Sequence, residues 1–168
     1  ITVTGMNGGS NPAFGTYSGS NAIQTTHGNI IVTAIARDLG AAAMGQPGGA
    51  ISFQTDSGNI TLLGEDEGQG GGINLGSGTI STNTGNVLIQ SLGSGVGGIT
   101  APEIINANTV TIGDLNTYNQ VTTASINATG PVLVEAGGGY INPPPSCIGM
   151  CVPGGSPEAN VYIGGTIT

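Results

Sequence analysis

The stretch Thr25-Thr-His-Gly-Asn-Ile-Ile-Val-Thr33 recurs as Thr55-Asp-Ser-Gly-Asn-Ile-Thr-Leu-Leu63 and as Thr82-Asn-Thr-Gly-Asn-Val-Leu-Ile-Gln90. In each copy a Gly-Asn pair separates a polar segment from a run that begins with a β-branched residue. Gly and Asn tolerate the left-handed backbone conformations of sharp corners, whereas β-branched residues favour extended strands. The repeated unit is therefore a tight corner followed by a strand.

The spacing of these strands decides the fold class. They begin at Ile30, Ile60 and Val87, and weaker relatives begin at residues 1, 110, 132 and 161, so that the mean interval is about 27 residues. A second short strand precedes most corners. Units of this length stack, because none can bury its apolar side chains alone. We expect one all-β domain over residues 1–168, a parallel β-helix of about six coils with long loops.

The composition suits a narrow solenoid core. The chain contains 33 glycines and no tryptophan, and only 4% of its residues are aromatic. Small β-branched side chains stack well in a column where the strands of successive coils lie about 4.8 Å apart. Gly and Asn are expected at the corners of each coil, where Asn side chains form ladders.

The charge excludes several classes of partner. The formal net charge is −8, and Arg37 is the one basic side chain besides the single histidine. Nucleic-acid binding and adhesion to anionic membranes both need clusters of basic residues, so neither is expected. No apolar run approaches the roughly 20 residues of a membrane span, and we expect no membrane insertion. Because the chain begins at Ile1 rather than Met, we interpret it as a processed product or an excised segment.

Two cysteines, Cys147 and Cys151, lie in a proline-rich segment. By analogy with stapled loops of secreted proteins, we predict that they form a disulfide in an oxidising compartment. The alternative is a metal or redox pair. It lacks the further ligands of a structural zinc site, and its spacing differs from that of a thioredoxin-type motif.

The densest charge is the run Glu65-Asp66-Glu67, which offers oxygen ligands of the kind that calcium prefers. Consecutive carboxylates point apart and match no known ligand spacing, so we favour a solvated acidic loop and keep calcium as the alternative. No cofactor is predicted.

The sequence contains no recognisable set of catalytic residues. His27 occupies the corner position that Ser57 and Thr84 hold in the sister repeats, and we interpret it as a corner residue. Carboxylates that lie in or beside coils are the candidates for glycoside hydrolysis: Asp56, Glu103, Asp114 and Glu135. Their spacing selects no pair. A polysaccharide lyase relies on basic residues, and this chain has a single arginine. An enzyme is therefore not expected.

Thr-x-Thr elements occur at residues 2–4, 109–111 and 166–168. A flat array for binding ice would need such elements at equivalent positions in adjacent coils, and their spacing does not provide this. The simpler interpretation is the ordinary preference of Thr for strands.

The elements Gly28-Asn29-Ile30, Gly58-Asn59-Ile60 and Gly85-Asn86-Val87, with their Gly-rich flanks, resemble passenger repeats of filamentous-haemagglutinin-type exoproteins. These are large bacterial adhesins of two-partner secretion, and other autotransporter-like passengers are more loosely similar. The resemblance covers most of the chain. It implies a right-handed β-solenoid, export from a bacterium, and an extracellular or cell-surface role without catalysis.

The predicted strands at both ends suggest a structural function. A β-helix leaves an unpaired strand at each end, and soluble solenoids usually cover it with a polar cap. Here both terminal stretches are themselves strand-like, and we expect Ile1, Val3, Val161 and Ile163 to form an assembly interface between copies of the chain stacked head to tail. We therefore expect a secreted structural protein, a subunit or segment of an extracellular bacterial fibre or adhesin.

The alternative is a monomeric carbohydrate-binding or adhesive module with host or surface glycans as partners. Tyr17, Tyr118 and Tyr140 lie in predicted loops, where their rings can stack on sugars. The loops 5–21, 34–49 and 135–159 are expected to face partners.

Overall fold

A computed structural model describes residues 1–8, 12–15, 19–37, 42–45, 49–66, 72–92, 98–102, 104–113, 121–123, 125–136 and 161–168. These residues contain sixteen strands and no helix, and every strand pairs in parallel with its neighbours. The strands form three sheets that run along one solenoid. The predicted all-β parallel β-helix is confirmed.

Each sheet takes one strand from each successive coil. Sheet A contains β1 (Thr2–Asn7), β3 (Ile30–Ala36), β6 (Ile60–Asp66), β9 (Asn86–Leu92), β12 (Thr109–Ile112) and β15 (Val132–Val134). Sheet B contains β4 (Met44–Gly45), β7 (Ile73–Asn74), β10 (Ile99–Thr100), β13 (Val121–Thr123) and β16 (Val161–Ile163). Sheet C contains β2 (Ser20–His27), β5 (Ala50–Ser57), β8 (Thr79–Thr82), β11 (Ile104–Ala107) and β14 (Ser125–Ala128). The chain thus passes through sheets A, B and C in turn.

The number of coils differs slightly from the expected six. Four layers contain a strand in all three sheets, whereas the first layer reaches sheet B only through a bridge at Phe14 and the last reaches sheet C only through a bridge at Ile167. The expected repeat at residue 161 was wrong in one respect, because β16 pairs with β13 in sheet B and not with the strands of sheet A. The interval between residues 132 and 161 therefore does not give the length of one coil.

Sheet B is the element that the sequence repeats did not predict. Residues 34–49, expected as a loop, contain the end of β3 and all of β4. Most strands of sheet B have only two residues, which is too short for an alternating pattern. Their signal is a single buried aliphatic residue within a Gly-rich stretch, such as Met44 or Ile73.

Equivalent apolar side chains form columns along the axis. One column of sheet A contains Ile30, Ile60, Val87 and Val110. The matching columns of sheets B and C contain Met44, Ile73, Ile99 and Val121, and Phe53, Ile80, Ile105 and Ile126. All twelve side chains are at most 2% exposed. Burying such a side chain stabilises a fold by about 1.5–3 kcal/mol, and these columns supply the core.

The corners between sheets C and A explain the repeated Gly-Asn pair. Gly58 has φ +140°, and a Cβ at this position would collide with the Gly28 carbonyl of the coil above. The Asn29 Oδ1 accepts a hydrogen bond from the Asn59 backbone N–H at 2.8 Å, and the Asn59 Oδ1 accepts one from the Asn86 N–H at 2.9 Å. The expected Asn ladder is confirmed at these corners.

Candidate functional site at the ends of the solenoid

The two terminal layers differ from the rest of the solenoid, because the described residues cover each of them on one side only. We define the upper rim as Ile1 with β1, residues 12–15 and β2, and the lower rim as β15 with Glu135, β16 and residues 166–168. The upper rim rests on β3, β4 and β5, and the lower rim rests on β12, β13 and β14. All three sheets therefore present a strand edge at both ends among the described residues.

Backbone groups at the upper rim alternate in direction. In a parallel strand, the N–H and C=O of one residue point to one neighbouring strand, and those of the next residue point to the other side. On β1 the Ile1 carbonyl accepts a hydrogen bond from the Ile31 N–H at 2.9 Å. The odd-numbered residues of β1 thus bond to β3, and the groups of Thr2, Thr4 and Met6 point away from the solenoid.

The lower rim of sheet A shows the complementary arrangement. The N–H of Glu135 donates to the Ile112 carbonyl at 2.9 Å. By the same alternation Leu133 also bonds to β12, while the N–H and C=O groups of Val132 and Val134 point away from the solenoid.

Sheets B and C repeat this pattern at the lower rim. The N–H of Gly164 donates to the Thr123 carbonyl at 2.8 Å, which leaves the backbone groups of Val161 and Ile163 directed outward. In sheet C the N–H of Thr168 donates to the Ile126 carbonyl at 3.0 Å. The backbone groups of Ile167, between these bonds, face outward as well.

The two rims have matching chemistry. Between internal coils, a residue whose side chain points inward directs its N–H and C=O toward the coil that follows along the chain. Ile112, for example, accepts a hydrogen bond from Glu135. The free groups of the lower rim belong to residues of this kind. The free groups of the upper rim belong to residues with outward side chains, such as Thr2 and Thr4. A second copy below the first would therefore meet the same arrangement that joins any two internal coils.

The apolar columns reach both rims, and no described residue covers them there. At the lower rim Val161, Ile163 and Ile167 are 41–44% exposed. At the upper rim Ile1 is 51% exposed, and inward side chains next to the core are partly buried: Val3, Phe14 and Ile23. Their equivalents in the middle coils are almost completely buried. The rims are thus unfinished coil surfaces, apolar inside and edged by free backbone groups.

The structure places the four residues predicted for the assembly interface on two different sheets. Ile1 and Val3 belong to the columns of sheet A, whereas Val161 and Ile163 belong to sheet B. Val132 and Val134 are the lower-rim residues that continue the columns of Ile1 and Val3, and sequence reasoning missed them in this role. It also missed Phe14, which starts the column that ends at Val161. The register of β12 with β15 carries this information, and register is set by pairing across coils.

The remaining predicted site residues are scattered or lie outside the described residues. Glu65 is partly buried near the end of β6, and Asp66 is the last residue of that strand. Outside the described residues lie Glu67, Cys147, Cys151, Tyr17, Tyr118, Tyr140, Glu103 and Asp114. In the described ranges no three His, Cys, Asp or Glu side chains cluster as metal ligands would.

The candidate catalytic residues that are described do not come together. His27 is exposed as the last residue of β2, directly before the corner at Gly28, and it pairs with Ser57, its predicted equivalent in the next repeat. Asp56 is exposed on sheet C of the second layer, whereas Glu135 follows β15 in the last layer. The two carboxylates therefore belong to opposite ends of the solenoid.

The outer faces of sheets A and C differ in chemistry. Sheet C presents amides and hydroxyls that bond between coils: Gln24 Nε2 donates to Gln54 Oε1 at 3.3 Å, and Asn127 Nδ2 donates to Asn106 Oδ1 at 2.8 Å. The upper end of this face contains a groove of about 240 Å³, lined by Gln24, Thr25, Thr26, Gln54 and Asp56. The outer face of sheet A is mainly Thr and aliphatic side chains.

Comparison of the chain with protein-family models, curated proteins and solved structures found no match. Within the described ranges, no helix has the length and apolar character needed to span a membrane.

Proposed function

We propose that this chain is a secreted structural protein, a subunit or segment of an extracellular bacterial fibre or adhesin that assembles by end-to-end stacking of coils. One observation carries the proposal. The two rims offer, on all three sheets, the two complementary halves of the contact that joins internal coils.

The register of the stacked contact follows from the internal ladders. Val132 and Val134 of one copy would lie on Ile1 and Val3 of the next, and Val161 would lie on Phe14. Because the upper and lower rims are different surfaces, such a contact is heterologous and does not close on itself. Repetition of the contact produces a filament whose strands run across the fibre axis.

The charge distribution favours this contact. The chain has a formal net charge of −8, yet among the described rim side chains Glu135 is the one carboxylate. Like-charge repulsion between stacked ends is therefore small, while the acidic charge elsewhere keeps the sides of a filament hydrated.

The Gly-Asn-Ile and Gly-Asn-Val repeats support the extracellular part of the proposal. They resemble repeats of filamentous-haemagglutinin-type adhesins, which are exported and act at the bacterial surface without catalysis. The Asn ladder at the corners supplies a structural reason for these repeats, because each Asn side chain bonds to the next coil. We accordingly propose a non-catalytic role at the cell surface or outside the cell, with other copies of the chain as the main partners.

Two neighbouring residues of β2 provide the test. Ile23 points into the core column of the upper rim and is partly buried, whereas Gln24 is exposed on the outer face of the same strand. Ile23→Lys places a charge inside the stacked contact, and Gln24→Lys adds the same charge outside it. Electron microscopy should show filaments for the wild type and Gln24→Lys, and dispersed particles for Ile23→Lys. Filaments of equal length in both variants, or none in the wild type, would contradict the proposal.

A monomeric carbohydrate-binding module is the second candidate, and the groove beside Gln24 and Gln54 favours it. Amide, hydroxyl and carboxylate groups bond well to sugar hydroxyls. A glycan array probed with the wild type and with Gln54→Ala tests this function: binding to a defined glycan that the variant loses would support it, and no binding would oppose it.

A further inference from the structure

The central column on the outer face of sheet A alternates strictly between small and large side chains. Its members are in register across all six strands: Thr2, Ile31, Thr61, Leu88, Thr111 and Leu133. These side chains point outward, because their neighbours along each strand, such as Ile60 and Leu62 beside Thr61, are completely buried. The Thr residues that the sequence placed in separate elements thus recur in every second coil.

This alternation makes the face ridged. An aliphatic side chain extends further from the sheet than Thr, so large and small positions succeed each other at about 4.8 Å along the axis. A second ridged surface fits against it only where large side chains meet small ones, as in the dry contacts between paired β-sheets.

We propose that two copies of this chain pair through the outer faces of sheet A, related by a two-fold axis that runs parallel to the strands and passes between β6 and β9. The column has an even number of positions, so reversing its order sets every Thr opposite an aliphatic residue. Thr61 faces Leu88 of the second copy, Ile31 faces Thr111, and Thr2 faces Leu133. If the two copies were instead parallel and in full overlap, each Thr would face a Thr and each aliphatic residue would face an aliphatic residue.

Charge and area both favour a second copy as the occupant. The central column is uncharged in a chain whose net charge is −8, so two copies can approach here without strong repulsion. The carboxylates on this face lie outside the central column: Glu135 belongs to the next column along the strands, and Glu65 belongs to the one after it. A face of six strands, about 24 Å by 20 Å, would bury roughly 1,000 Å² in a pair, close to the lower limit for a specific interface.

Exchange of the two central residues tests the pairing. Thr61→Leu sets Leu against Leu88 and overpacks the contact, while Leu88→Thr sets Thr against Thr61 and leaves a gap. The double exchange Thr61→Leu with Leu88→Thr restores one large and one small residue at both contacts. Ser81→Leu on the outer face of sheet C is the control, since it adds the same apolar side chain to a different face.

The readout is the dimer dissociation constant from analytical ultracentrifugation of the full chain. It is measured in the Ile23→Lys background, in which end-to-end stacking should be absent, or on the wild type if that chain forms no filaments. Failure of stacking therefore does not affect this test. Circular dichroism spectra and unfolding midpoints check that each variant is folded.

The expected result is a dimer that each single exchange weakens at least about tenfold, since each of the two symmetry-related contacts gains or loses about one methyl-sized group. The double exchange should bring the constant back to within about threefold of the parent, and Ser81→Leu should leave it unchanged. A monomer at all concentrations would overturn the proposal. Tighter association of Thr61→Leu, or failure of the double exchange to restore pairing, would also overturn it. Either result would mean that the copies associate through an apolar patch in which large side chains need not face small ones.

Discussion

The middle coils and the rims are built from the same residues but differ in what those residues do. Phe53 in the second layer is completely buried, whereas Ile23, its equivalent in the upper rim, has a described coil on one side only. A column residue in the middle contributes to stability, since it contacts coils on both sides. At a rim the same kind of residue has half of its contacts and can acquire the rest from another molecule. In a solenoid, position along the axis therefore decides the role of a repeated residue.

The largest difference between the middle coils and the rims should appear in the free energy of unfolding when a large side chain is removed from a core column. Phe53→Ala removes a completely buried ring between β2 and β8 and should lower the free energy of unfolding by about 3–5 kcal/mol. Ile23→Ala, at the rim, should cost less than about 1.5 kcal/mol, because the site is partly open. Chemical denaturation of dilute protein measures both. Equal losses would show that the rim is as well packed as the middle.

The corners should show a smaller contrast. Gly28 and Gly58 both have positive φ, +96° and +140°, but only at Gly58 would a Cβ collide with the backbone of the next coil. Gly28→Ala should cost about 1–2 kcal/mol from backbone strain alone. Gly58→Ala should cost more, by at least about 1 kcal/mol, because the adjacent coils must also move apart. Unfolding midpoints in the same order would confirm the close approach, and the reverse order would contradict it.

The Asn ladder should contribute less per residue. Asn59→Ala leaves the backbone N–H of Asn86 without its side-chain acceptor and should cost about 1 kcal/mol. At the last corner, Thr129→Ala removes an exposed hydrogen bond to Asn108 Oδ1 and should cost only a few tenths of a kcal/mol. Comparing the two unfolding free energies tests whether the ladder stabilises the middle more than the end.

The smallest effect on the folded monomer is expected at the lower rim, although assembly should change there most. Val161 is 41% exposed, so Val161→Lys should shift the free energy of unfolding by less than about 0.5 kcal/mol. The same change places a charge between stacked ends and should abolish filaments. Light scattering follows assembly, and an unchanged signal would argue against sheet B as part of the contact. Thr166→Lys, on the outer face of sheet C, is the matched control.

Local chemistry explains which parts of the fold were predictable from the sequence. The corner at Gly58 and Asn59 and the strand from Ile60 carry their own signals, namely backbone freedom, ladder-forming amides and alternating β-branched residues. The strands of sheet B carry no alternation, because two residues such as Met44 and Gly45 are too few to show one. Their burial depends on the coils above and below.

The candidate site was predictable only in part for the same reason. That the first and last coils supply the outermost described strands of the sheets follows from the order of strands along the chain. Which residues would meet across a stacked contact depends on register, and the sequence alone named Ile1, Val3, Val161 and Ile163 without a register. The strand pairings of sheet A set Val132 and Val134 in line with Ile1 and Val3.

The sequence by itself determined the parallel β-helix, the corners and the acidic, lysine-free surface chemistry, because these arise from periodicity, backbone propensity and charge. Tertiary structure alone decided the third sheet, the complementary backbone groups of the two rims and the alternating column on sheet A. Each of these requires residues from different coils to be placed in register, and residues that lie 20 to 30 positions apart become neighbours only when the coils stack.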